Sequence, residues 1–297
     1  MLFILVSLFV LMPQASRAAG FPALTPVTVR PAVNAAVDNR SALLVLLDHP
    51  NPQVQLNALR SLRYSVGQTE FARLKVLSVM EDPRRARDVR YQAIKTLAWV
   101  AGYPDVQSRL MFYADHPQTA PDFKALHMKA LYTRAAGDPR VRLFLMNRMA
   151  TERDPVALSG AIWALGEASH YPDTAAVLMR AARFAPTPAL QDAAMRSLSQ
   201  GTGRPEVRAF IDAVILGRVP VSLEARQSAV RLSGTIPGTQ RALAVLAANP
   251  RAIDPRLSDA EAARLSAVAT QALAGDPRET AVYFHRAFYG YDPLDGE

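Results

Sequence analysis

The stretch Val89-Arg90-Tyr91-Gln92-Ala93-Ile94-Lys95-Thr96-Leu97 decides the fold. Its apolar residues Val89, Ala93, Ile94 and Leu97 stand at offsets 0, 4, 5 and 8. At about 100° per residue these positions share one side of an α-helix, the side a core would cover. The same spacing returns in Val54, Ala58, Leu59 and Leu62, in Ala157, Ala161, Ile162 and Leu165, and in Leu190, Ala194, Met195 and Leu198. It returns less regularly in Ala225, Ala229, Val230 and Ser233. Phe123, His127, Met128 and Leu131 carry it with histidine in the small slot; Leu265, Ala269, Thr270 and Leu273 carry it with threonine at offset 5. The small slot falls at 58, 93, 127, 161, 194, 229 and 269, in steps of 35, 34, 34, 33, 35 and 40. Such a period marks a repeat architecture.

A second apolar helix precedes each of these, at residues 42–47, 71–80, 106–113, 141–149, 174–182, 207–216 and 242–248. A helix pair of this size cannot bury both apolar faces alone, and stacking the pairs makes one continuous core. The boundaries between pairs are expected near 67, 102, 137, 170, 203 and 237. The turns agree. Asn51-Pro52, Asp154-Pro155 and Thr187-Pro188 each place a capping side chain before a proline at the first helical position. Ser258 with Glu261 reads as a capping box. Gly102, Gly137, Gly201, Gly234 and Gly275 follow second helices and are expected to end them in a left-handed conformation. Short phrases recur: Gly137-Asp138-Pro139-Arg140 with Gly275-Asp276-Pro277-Arg278, Tyr103-Pro104-Asp105 with Tyr171-Pro172-Asp173, and Asp48-His49-Pro50 with Asp115-His116-Pro117.

The two-helix unit, its Asp/Asn-Pro turn and its Ala-x-x-x-Leu second helix resemble HEAT repeats, in particular the shorter HEAT-like units, over residues 38–275. The tetratricopeptide first-helix pattern is absent, and an armadillo unit needs a third helix for which there is no room. The HEAT ladder of arginine early in the second helix is met by Arg90 and Arg226, whereas Gln55, Leu158 and Gln191 depart from it. The fold expected is all-α: a right-handed α-solenoid of about seven HEAT-like helix pairs plus a C-terminal capping helix.

Residues 2–12 are an apolar stretch, followed by Pro13 and by Ser16-Arg17-Ala18, the pattern of a secretory signal cleaved after Ala18. The division expected is therefore 1–18 signal, 19–37 an extended arm with Pro22, Pro26 and Pro31, 38–275 solenoid, and 276–297 a cap helix and tail. No later segment is apolar enough to span a bilayer. This predicts an exported protein, periplasmic or secreted, in a bacterial envelope.

The chain of 297 residues has no cysteine, which excludes disulfides, thiolate nucleophiles and cysteine-bound metals. The histidines His49, His116, His127, His170 and His285 show no metal-ligand spacing. His49 and His116 are expected to cap turns or face solvent, and His127 to be a hydrogen-bonded packing residue. There is no Gly-rich phosphate loop and no nucleophile elbow. HEAT-like units do occur in bilin lyases and DNA glycosylases, but nothing here carries such chemistry, and the expectation is a protein that is not an enzyme, without cofactor or metal.

The net charge is +8, which favours acidic partners. Offset 6 lies roughly 170° from the centre of the apolar side. It holds Arg60, Lys95, Lys129, Trp163, Arg196, Arg231 and Gln271, with Tyr91, Trp99 and Tyr132 nearby at offsets 2, 10 and 9. Second helices line the concave side of HEAT-like stacks, so these residues predict a basic groove with interleaved aromatics. The partner expected is a protein presenting an acidic or extended segment; the alternative is a polyanion such as nucleic acid, acidic polysaccharide or lipopolysaccharide.

Overall fold

The computed structural model describes residues 31–234, 236 and 238–275. The proposed signal, most of the proline-rich arm and the proposed cap helix lie outside them. The chain divides into two units, Met1–Asn39 and Arg40–Glu297, and the stack below belongs to the second.

All regular structure among the described residues is helical. In chain order α1 (Pro31–Leu46), which crosses the boundary between the units, is followed by α2 (Pro52–Leu62), and then come the pairs α3 (Glu70–Glu81) with α4 (Arg87–Ala98), and α5 (Pro104–Asp115) with α6 (Pro121–Ala130). After the short α7 (Tyr132–Ala135) come α8 (Pro139–Thr151) with α9 (Pro155–Leu165), and α10 (Pro172–Phe184) with α11 (Pro188–Ser197). The last pairs are α12 (Pro205–Ile215) with α13 (Leu223–Ser233), and α14 (Gln240–Ala248) with α16 (Asp259–Ala274), separated by the single turn α15 (Pro250–Ile253). That inserted turn accounts for the long final step of the period. The first helix begins at Pro31, inside the stretch 19–37 expected to be extended.

The small slot is buried in every unit: Ala58, Ala93, His127, Ala161, Ala194, Ala229 and Ala269 are at most 3% exposed. The buried side chains form one core running from Leu44 to Ala272. Successive second helices pack directly on one another, far more extensively than successive first helices do. The second helices are therefore the inner, tightly spaced layer of an α-solenoid of HEAT-like pairs. At the α6–α9 contact, a Cβ on Gly160 would lie 2.5 Å from the Ala125 backbone. Hydroxyls tie the same layer together: Thr96 Oγ1 donates to the Leu59 carbonyl at 3.0 Å and Ser197 Oγ to that of Ile162 at 3.2 Å.

The caps form as read. Asn51 accepts from the Gln53 N–H, Asp154 from Val156 and Ala157, Thr187 from Leu190, and Ser258 with Glu261 closes a full capping box. The glycines do not behave as expected. Among the described residues the positive-φ glycines are Gly217 and Gly238, while Gly234 and Gly275 have φ of −58° and −75°. Second helices α9 and α11 run on into 3-10 turns, Gly166–Ala168 and Ser199–Gly201. Gly201 is there for clearance, since its Cβ would meet the Ser169 carbonyl oxygen of the preceding unit at 2.6 Å.

Candidate functional site

The arginine ladder is more complete than the sequence suggests. Arg90 Nε donates to the Met80 carbonyl at 3.0 Å and Arg226 Nη2 to that of Ile215 at 2.8 Å. Gln55 donates to His49, Gln191 to Ala185 at 3.1 Å, and Ser266 to Ala247. All five sit at the same position of their second helices and satisfy carbonyls at or just past the end of the helix before. Gln55 and Gln191 are thus substitutes in the ladder, because that carbonyl needs a donor and not a charge.

The repeated phrases are joints between units. Tyr103 donates to the Gly67 carbonyl at 2.9 Å while Arg73 lies 3.9 Å over its ring and pairs with Asp105 at 3.1 Å. Tyr171 donates to Ala136 at 2.8 Å while Arg142 lies 3.9 Å over its ring and pairs with Asp173 at 3.9 Å. Asp48 takes Lys75 and Arg85 of the next unit, and Asp115 takes Arg148. His49 and His116 each accept the backbone N–H two residues on, at 3.1 and 3.3 Å. His127 is 3% exposed, donates from Nδ1 to the Phe123 carbonyl at 2.7 Å and stacks on Tyr113. Burial holds its pKa down to about 4, so it is neutral and structural.

The offset-6 residues share one register on the inner helices. Arg60 on α2 is exposed, while Lys95 on α4, Lys129 on α6, Trp163 on α9, Arg196 on α11 and Arg231 on α13 are half-buried. Close packing of the inner helices crowds these side chains, so the face is not simply solvated. The Lys95 ammonium lies 5.8 Å from the ring centre of Tyr91, whose other contact is an edge-on Phe123 at 5.9 Å. Tyr132 meets Trp163 edge-on at 5.0 Å, and both pack against the core. Trp163 is therefore part wall, part support, and does not stand free in a groove. Arg196 is held by Asp192 at 3.0 Å, and Asp192 also accepts from Ser228 at 2.6 Å. Burial, and after it the Lys95 charge, lowers the pKa of Lys129.

Trp99 is the C-cap of α4 and keeps helical dihedrals, φ −65° and ψ −20°. Its ring, 51% exposed, packs 6.0 Å from Tyr64 at the edge of the stack. Arg63 lies 4.6 Å over Tyr64 and 5.8 Å over Trp99. These three with Gly67, Gln68, Val100 and Tyr103 line a cleft of about 420 Å³.

Among the described residues no cluster of histidine, aspartate and glutamate could hold a metal ion, and no helix is long and apolar enough to cross a membrane. What fold and face define is a helical-repeat solenoid whose inner layer presents cations beside aromatic walls. No protein-family model matches the chain, and no curated protein matches it. Two solved structures are similar in fold. The complex of CpcE and CpcF of phycocyanin lyase from Nostoc sp. PCC7120 shares 15% identity at a TM-score of 0.44, over 92% of this chain and 100% of that one. Human deoxyhypusine hydroxylase in complex with glycerol shares 17% at 0.35, over 84% and 91%. Likenesses this distant carry nothing about activity.

Proposed function

We propose that this chain is an exported, non-enzymatic interaction scaffold of the bacterial envelope, and that its inner face binds an acidic, extended segment of a partner protein. The observation that carries this reading is the grouping of half-buried Lys95 and Lys129 with the Tyr132–Trp163 pair one unit on. Cations beside rigid aromatic surface are the usual anchors of protein interfaces. A polyanion binder is the second reading, favoured by the basic residues at offset 6 in five units. The ion pair between Arg196 and Asp192 counts against it, because it interrupts the positive strip that a long polyanion would follow. The basic residues that remain in consecutive units are Arg60, Lys95 and Lys129 of the first three, which suits a short acidic segment.

Affinity capture from the envelope fraction of the exporting organism, at low and at high salt, tests the choice. The scaffold reading expects one protein retained stoichiometrically, with capture weakened but not abolished by salt. Retention of nucleic acid or acidic polysaccharide, lost steeply with salt, would replace it with the polyanion reading.

A further inference from the structure

The inner face calls for an acidic, extended segment, and the chain itself carries one. Beyond Gly275 the sequence continues through residues 276–297, which lie outside the described ones. Residues 287–297 read Ala-Phe-Tyr-Gly-Tyr-Asp-Pro-Leu-Asp-Gly-Glu. They hold three acids, Asp292, Asp295 and Glu297, and no lysine or arginine. That is the reverse of the chain as a whole, whose net charge is +8. Three aromatics, Phe288, Tyr289 and Tyr291, stand just before the acids. Gly290, Pro293 and Gly296 are poor helix formers, so the acids fall in a stretch suited to an extended conformation.

Length decides whether such a segment can reach the face. The last described helix, α16, belongs to the inner layer, so the chain leaves the stack from that layer. Inner helices are spaced by about 10 Å, which puts α9, α6 and α4 about 30, 40 and 50 Å from α16. Residues 276–288, expected from the sequence to form a cap helix, cover about 20 Å at helical rise. Residues 289–297 add about 30 Å when extended. Tyr289 and Tyr291 can then come level with α9, and Asp292, Asp295 and Glu297 with α6 and α4. The side chains they meet match in kind: Trp163 on α9 with Tyr132 against it, then Lys129 on α6 and Lys95 on α4. Burial first, and the Lys95 charge after it, hold the Lys129 amine below the ordinary lysine range, and a carboxylate beside it relieves the second of these. Tethering makes the match effective. A segment on a short linker acts at an effective concentration of about a millimolar, so even a weak seat is filled.

We propose that residues 289–297 lie along the inner face of their own chain, acids toward Lys129 and Lys95 and tyrosines toward the Tyr132–Trp163 pair, and that a partner segment binds by displacing them. The proposal rests on the scaffold reading and adds a regulator to it. The affinity a partner sees is reduced by the fraction of molecules whose face is covered.

The probe is a fluorescent peptide of residues 287–297, titrated into the full chain and followed by anisotropy. In the wild type the tethered copy competes with it. In the full-length variant Asp292→Asn, Asp295→Asn, Glu297→Gln that copy is weakened, and the peptide is expected to bind at least about tenfold more tightly. Adding Lys129→Gln to this variant is expected to weaken the peptide about tenfold. Arg180→Gln on α10, outside the inner layer, is expected to leave it unchanged. Equal binding to the wild type and the triple variant overturns the proposal; if Lys129→Gln still weakens the peptide, the face for acidic segments stands without a tail on it. Binding indifferent to Lys129→Gln places the peptide elsewhere and overturns the proposal as well. If the peptide binds neither form the proposal falls, while capture from the envelope fraction still decides the scaffold reading.

Discussion

At the scale of single residues, the firmest energetic statement concerns Arg226 and Asp254. They pair at 2.9 Å with side chains 8% and 9% exposed, joining the last two units. Arg226 also satisfies the Ile215 carbonyl, and Arg256 reaches Asp254 from the solvent side. Hydrogen bonds from Arg256 first and Arg226 second hold the carboxylate pKa at about 2, against an ordinary 3.8. A depressed acid contributes stability that is complete above its unfolded pKa and fades as pH falls toward the folded one. The pair is therefore expected to stabilise fully above about pH 4 and to lose its contribution between there and about pH 2. Asp254→Asn strands a buried guanidinium and is expected to cost about 3 kcal/mol at neutral pH. Urea melts of both proteins at several pH values check this: the wild-type advantage is to shrink on acidification, and a constant difference would refute the assignment.

Elements are held by close approach as much as by apolar area, and two glycines separate these effects. Gly160→Ala gains about 1 kcal/mol of helix propensity. The added methyl, however, would lie 2.5 Å from the Ala125 backbone, and backbone cannot rotate away. Overpacking costs typically 1–3 kcal/mol, more when the obstacle is main chain, so the variant is expected to melt lower. Gly137→Ala meets nothing within 4 Å and is expected to gain up to about 1 kcal/mol through the unfolded chain. Thermal melts of the two variants decide the point, and a stabilised Gly160→Ala would mean that α6 and α9 are not in register. At this scale the sequence was readable where one residue type does one job, as with the caps Asn51, Asp154, Thr187 and Ser258. It was misleading where a residue type has two. A glycine after a helix can supply positive φ or clearance; Gly201 supplies clearance, and the spacing alone does not say which.

For the stack as a whole, the period of the small slot fixed the pairing of helices and the continuity of the core, because offset 4 is buried in every unit, offset 0 in all but the first, and offsets 5 and 8 in all but the last. The candidate face was legible only as far as the helices are regular. Lys95 and Lys129 lie near enough for the charge of one to act on the other, and Tyr132 reaches Trp163 from the short helix α7. Burial along the face was not legible either: half-burial of Lys129 follows from how tightly inner helices of different units approach, a contact between residues about thirty-four positions apart.

The central claim is that the inner face, and no other, holds the acidic partner segment. The small number of lysines gives a direct reading of it. Zero-length carbodiimide coupling joins a bound carboxylate to the nearest amine, so peptide mapping of the chain cross-linked to its captured partner reports which lysine it touches. Links to the partner at Lys95 and Lys129, with none to the partner at Lys75 and Lys124, are the predicted result; partner links confined to Lys75 or Lys124 would contradict the account.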